Sequence, residues 1–263
     1  MSMGNVLLET RKLSNWFGKI CTARELDLAF EEGVLTSIIG PNGAGKSTLV
    51  NLLTGNLPVQ AGSVLFRGKD ITRFPIHKRV RMGVCRSFQI LNIFPQLSVL
   101  RNVMIPVLAR SGRSMRPFAG ISGEKAVLRE SEELLEKVGL SRVRDSVAGA
   151  LSHGDQRLLE VGVALAAAPV LLFLDEPTAG MNPVERVRLL ESIRELSRGG
   201  RSTFVLIEHD MDIVFSLSDR VIVLHRGEVI GDGPPDEIRE NARVREVYLG
   251  DEMTDVFRIT GEE

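Results

Sequence analysis

Charge of one sign is what the sequence lacks most plainly. Its 33 basic and 34 acidic residues leave a formal net charge of −1. No basic stripe of useful length runs through it, which argues against a nucleic-acid partner. Cysteine is nearly absent: Cys21 and Cys85 make no disulfide framework and suit a reducing compartment. Long hydrophobic runs are missing too. The longest, Val161 to Leu174, is broken by Pro169 and is too short to span about 30 Å of hydrocarbon. Met1-Ser2-Met3-Gly4-Asn5 leads directly into Val6-Leu7-Leu8, without the apolar core of a signal segment. The expectation is a cytoplasmic chain that reaches a membrane only through a partner. No internal repeat or low-complexity tract is found, which sets solenoids and arrays aside.

What is there is an ordinary globular composition, 43% hydrophobic and 25% charged, in 263 residues. A chain of this length buries enough apolar surface to need neither disulfides nor metals for stability. The first third reads as strands separated by glycine turns, among them the nearly continuous apolar Val34–Ile39, as a buried parallel strand should be. A helix is expected from about Gly45 to Leu53. The middle reads as helices, with Val127, Leu128, Leu134, Leu135 and Val138 on one face of a segment that Gly139 closes. Ahead of it, Arg110 to Pro117 is a basic, turn-rich loop. The last third alternates strand and helix again: Val170–Leu174, then Pro183–Leu196, then Thr203–Ile207. That order implies a parallel sheet with helical crossovers and a helical insertion in an α/β core.

Gly40-Pro41-Asn42-Gly43-Ala44-Gly45-Lys46-Ser47-Thr48 lies between an apolar strand and a helix, where a P-loop belongs. Glycines let backbone amides wrap phosphates, Lys46 reaches the outer phosphates, and the Ser47 hydroxyl is placed for Mg2+. A second apolar strand delivers Asp175 and Glu176 at its carboxyl end, where ligands bind in open α/β sheets. Asp175 would hold Mg2+ and Glu176 would polarise the attacking water. Ser152 and Asp155 form a capping box before an Ala-rich helix. The same helix start would expose Gly154 and the Ser152 hydroxyl to a phosphate.

Five segments then stand in the order found in ABC ATPases: the P-loop, Ser87-Phe88-Gln89, Leu151 to Arg157, the Asp175-Glu176 strand and Ile207-Glu208-His209-Asp210. The sequence resembles that family over nearly its whole length. The resemblance implies an α/β fold: a P-loop NTPase parallel-sheet core, an N-terminal antiparallel β subdomain and an inserted α-helical subdomain. Residues 1–90 and 160–250 would form the core with the β subdomain, 91–159 the helical signature subdomain, and 251–263 a tail. It further implies ATP and Mg2+ as cofactors, with Gln89 sensing the metal and water, and His209 reaching the γ-phosphate. Ser152 and Gly154 would contact ATP held by a second ATPase subunit, a copy or a paralogue, in a head-to-tail dimer. Trp16-Phe17-Gly18 stands where the family places an aromatic under adenine, with Phe17 the first choice and Trp16 the alternative. Transmembrane permease subunits would dock near Gln89 to Pro95, beside Ile90, Leu91, Ile93 and Phe94.

Two departures from the family pattern stand out. The signature reads Ser152-His153-Gly154-Asp155 in place of Ser-Gly-Gly-Gln, and Asn182 stands where many relatives carry Asp. His153 to Arg157, Ala179 to Pro183, Glu208 to Met211 and Val247-Tyr248-Leu249-Gly250 are most similar to importer ATPases for branched-chain amino acids, with urea and amide importers close. An importer would also engage a substrate-binding protein indirectly. Lipopolysaccharide-type export shares the Tyr-Leu-Gly ending and stays open, as does a non-transport ABC ATPase. The latter normally carries a coiled-coil insertion or a second cassette, neither of which is present. No guanine-reading Asn-Lys-x-Asp segment occurs, which counts against a GTPase.

Overall fold

The structure, a computed structural model, describes residues 5–87, 93–111 and 121–248. In chain order the elements are β1 (Val6–Phe17), β2 (Ile20–Leu26), β3 (Ala29–Glu31), β4 (Thr36–Ile39), α1 (Lys46–Thr54), β5 (Ala61–Phe66), β6 (Lys69–Asp70), α2 (Ile76–Arg81) and β7 (Val84–Arg86). Then come α3 (Val99–Arg110), α4 (Ile121–Lys137), α5 (His153–Ala166), β8 (Leu171–Asp175), α6 (Pro183–Arg198), β9 (Thr203–Ile207), α7 (Met211–Leu217), β10 (Arg220–His225), β11 (Glu228–Gly233) and α8 (Pro235–Glu240). They divide into two compact units, Met1–Arg79 with Thr203–Glu263, and Val80–Ser202.

The first unit holds two groups of strands. An antiparallel sheet in the order β2-β1-β5-β6, with β3 also on β1, carries the N-terminal third. In the second group, β10 and β9 flank β4 in parallel and β11 closes on β10 antiparallel. Ile38 lies opposite Ile222 on one side and Ile207 on the other. All four residues of β4 are buried, as a strand covered on both faces requires. Burying each such aliphatic side chain contributes roughly 1.5–3 kcal/mol. The strand begins later than the expected Val34 because the Leu35 amide donates to Asp219 Oδ2, at 2.9 Å, outside the ladder. Ile39, Val214, Val221, Val223, Ile230, Ile238 and Val244 form one core cluster, onto which Val247 and Tyr248 pack.

A buried cation ends the P-loop helix. Arg79 is 1% exposed, and its Nη1 donates to the carbonyls of Leu52 and Leu53, both at 2.7 Å. Its Nε reaches Phe74 O at 3.0 Å and its Nη2 reaches Thr72 O at 2.9 Å. The last turn of α1 leaves carbonyls unpaired and partly negative, and a guanidinium fork satisfies both needs. Burial lowers the pKa of Arg79 to about 10, which leaves it charged at any ordinary pH.

In the second unit β7 and β8 pair in parallel, with Arg86 opposite Phe173. Helix α3 packs on α4 and α5 through Val99, Val103 and Val107, one face at four-residue spacing. Helix α4 buries Val127, Ser131 and Leu135, with Val138 just beyond its end. That stripe leaves Leu128, expected on the buried face, at the surface. Gly139 follows with φ +72°, the left-handed backbone that ends helices. The long apolar run of the sequence is divided between α5 and β8, two separate core elements. The basic loop expected over 110–117 lies mostly outside the described residues. Among those described, no helix is long and apolar enough to cross a membrane.

Candidate functional site

The P-loop is built by β4 feeding α1, and its glycines are required for different reasons. A Cβ on Gly40 would come within 2.2 Å of the Leu224 carbonyl oxygen, and one on Gly45 within 2.4 Å of that of Thr22. Both glycines also have positive φ, +153° and +105°. Gly43, at φ +79°, faces open space, so there the demand is conformational alone. The loop is tied down from outside: Ala44 O accepts from the Gly227 amide in the β10–β11 turn at 2.9 Å. Helix α1 has neither a side-chain cap nor an acidic residue in its first turn. No side chain of that turn competes with an anion at the helix start, where the helix dipole favours negative charge. Lys46 is buried, and its Nζ donates to the carbonyls of Gly40 and Pro41 at 2.5 and 3.2 Å. Asn42, Gly43 and Ser47 are exposed and Thr48 is half-buried. This cradle fits a nucleotide's phosphates.

The same unit places three further candidates. Phe17 and Trp16 are 52% and 41% exposed where β1 turns into β2. Neither is a core aromatic, and both are available for stacking. His209 is exposed just after β9, while Glu208 beside it is buried. Asp210 has a structural duty: its Oδ1 accepts from the Ile213 amide at the start of α7.

In the second unit β8 delivers Asp175 at its end, 2% exposed. Its Oδ2 accepts from Arg86 Nη2, while its Oδ1 is buried without a hydrogen-bond partner. A buried carboxylate oxygen with no donor is what a metal-ligating group would present, so this residue fits Mg2+. Glu176 follows, half-buried, with φ +45°, a left-handed backbone that a non-glycine residue adopts at a cost. Asn182, the departure from Asp, caps α6 by accepting from the Val184 and Glu185 amides, each at 3.0 Å.

The signature segment differs from its expectation. Ser152 is exposed and caps α5 by accepting from the Asp155 amide at 3.1 Å. The Asp155 carboxylate does not serve the box; it takes Arg188 Nη1 at 2.8 Å. Gly154, expected to be exposed, is buried, and its amide donates to Glu185 Oε1 at 3.3 Å. A Cβ there would lie 2.8 Å from Glu185 Cδ, so packing against α6 alone already calls for glycine.

Phe94 is 54% exposed, and its backbone is held from both sides. Its amide donates to Asn102 Oδ1 at 2.7 Å, and its carbonyl accepts from Asn102 Nδ2 at 3.1 Å. Ile93 is half-buried and Pro95 exposed. Gln89, Ile90 and Leu91 lie outside the described residues. The residues that sequence reasoning missed are Arg79, Arg86, Glu185 and Arg188, all bonded to partners distant in sequence. For Arg86 a signal existed: an arginine ending an apolar strand just ahead of Ser87-Phe88-Gln89 is an expensive residue to bury without purpose.

Known proteins resemble this chain over most of its length. A sequence profile described as "ABC transporter" matches residues 23–179. A second, described as "Branched-chain amino acid ATP-binding cassette transporter", matches residues 228–254. The "Probable branched-chain amino acid transport ATP-binding protein LivG" of Archaeoglobus fulgidus is 38% identical over 257 residues, 95% of this chain and 98% of its own. The "High-affinity branched-chain amino acid transport ATP-binding protein BraF" of Pseudomonas aeruginosa is 36% identical over 256 residues, 95% of this chain and 100% of its own. Among solved structures, the ADP conformation of MJ1267, "an ATP-binding cassette of an ABC transporter", matches with a TM-score of 0.79 at 30% identity. That likeness covers 93% of this chain and 99% of the other.

Proposed function

The chain belongs to the ATP-binding proteins of the ABC transporter family, and from that premise we propose that it powers an importer of branched-chain amino acids by hydrolysing ATP. The observation that carries the proposal is the match at residues 228–254 to a profile described for branched-chain amino acid transporters. End-to-end relatives of that name support it. Within that segment Val247 and Tyr248 pack onto the core cluster of the first unit. The named relatives lend no support to export or to a non-transport role.

In this reading the amides of Asn42 to Thr48 wrap the phosphates, and Lys46 exchanges its two carbonyls for phosphate oxygens. Phe17, with Trp16 beside it, stacks on adenine. Ser47, Gln89 and Asp175 would hold Mg2+, which when bound offsets the charge of the phosphates. Glu176 accepts a proton from the attacking water as ADP and phosphate form, and His209 contacts the γ-phosphate. Ser152 and the Gly154 amide serve the nucleotide of a second ATPase subunit, with the phosphate replacing the Glu185 carboxylate on that amide. Permease subunits dock around residues 89–95, hold the chain at the cytoplasmic face of the membrane, and connect it indirectly to a substrate-binding protein.

Glu176→Gln tests the core of the reading. It should lower hydrolysis by about 10²–10⁴-fold with nucleotide affinity nearly intact, and an ATP-bound dimer should accumulate on size-exclusion chromatography. Unchanged turnover in the purified variant would refute it.

A further inference from the structure

The carboxylate of Asp175 is engaged on one side only. Arg86 stands at the end of β7, opposite Phe173 on β8, and the adjoining Ser87 amide donates to Phe173 O at 2.8 Å. That register brings the Arg86 guanidinium to Asp175 with side-chain exposures of 11% and 1%. An arginine paired with a carboxylate for stability alone gains most from a two-toothed arrangement, one N–H on each oxygen. Here the ion pair takes Oδ2 and leaves Oδ1 buried without a partner. Leaving a buried carboxylate oxygen unbonded carries a desolvation penalty that nothing repays, so its persistence calls for a reason.

We propose that Arg86 is a positioning residue for the metal: by holding Oδ2 it locks the plane of the Asp175 carboxylate and reserves Oδ1 for Mg2+. The inference rests on the reading of Asp175 as the metal-binding carboxylate. It adds a residue that the motifs do not contain. In this role Arg86 acts through Asp175, as groups that orient metal ligands do. Lysine keeps the charge but not the planar fork, so Arg86→Lys separates orientation from charge. Arg86→Met removes both.

The test uses the purified full-length chain saturated with ADP and titrated with Mn2+ as the probe, with half-saturation read by electron paramagnetic resonance. Asp175→Asn should raise the half-saturating Mn2+ concentration by about tenfold or more, and Arg86→Lys by roughly tenfold, the usual scale for an orienting partner. Arg86→Met should raise it at least as far. Binding of fluorescent mant-ADP in EDTA should stay within about twofold of wild type in all three, which separates metal positioning from loss of fold. Folded Arg86→Lys with wild-type Mn2+ half-saturation, beside an impaired Asp175→Asn, overturns the role of Arg86 alone. If Asp175→Asn also keeps wild-type Mn2+ affinity, the reading of Asp175 falls and this inference with it. Should Arg86→Met fail to fold, Arg86→Lys decides.

Discussion

Replacing Arg79 by methionine keeps most of the side-chain volume and removes every donor. Four carbonyl oxygens lose their partner: Leu52, Leu53, Thr72 and Phe74. At a net contribution of roughly 1 kcal/mol per bond the loss approaches 4 kcal/mol. Relief from burying a cation, seen in the lowering of its pKa to about 10, offsets a part. The expected destabilisation is about 3–4 kcal/mol, a large share of a typical 5–15. Urea unfolding followed by circular dichroism should show the midpoint of the first transition falling with little change in slope. The pH dependence has a definite sign. The folded pKa lies below the ordinary arginine value, so the unfolded chain holds this proton more firmly in the window from about pH 10 up to that ordinary value. Stability from this group therefore rises with pH inside that window only. The gap between wild type and variant should be flat from about pH 6 to 9. An unfolding free energy within about 1 kcal/mol of wild type would refute the capping argument.

Two further outcomes are expected. Phe94→Asp should leave the thermal midpoint and basal hydrolysis of the isolated chain nearly unchanged, because the ring is exposed and Asn102 holds only its backbone; stimulation by permease subunits should disappear, and either an unfolded variant or undiminished stimulation would overturn the docking reading. Iodoacetamide at pH 8 should add one group to the native chain, on half-buried Cys21, since burial pushes the Cys85 thiol up to about 11; rapid double labelling in the mass spectrum would contradict that.

Local rules carried the sequence reading wherever a short stretch decides its own conformation. The glycines of the P-loop, Gly139 after α4 and the apolar strands before Lys46 and Asp175 all announce themselves within a few residues. Legibility ended where a partner comes from far along the chain. Gly154 reads as exposed at an open helix start, and the residue that buries it, Glu185, lies a full helix and strand later. Asp155 reads as half of a capping box, yet its carboxylate gains more from the ion pair with Arg188 than from an amide. Leu128 was misplaced because a helical face is read to within one residue only.

The left-handed backbone at Glu176 has a consequence for engineering. A glycine or asparagine would sit at φ +45° with less strain, and a glutamate there forgoes on the order of 1 kcal/mol. With Glu176 as the proposed general base, a redesign ranked on folding free energy alone would exchange this side chain early and deliver a sturdier chain without turnover. Position 176 is thus a place where selection for thermal tolerance and selection for transport pull against each other, and heat-adapted variants of this chain should gain their stability elsewhere.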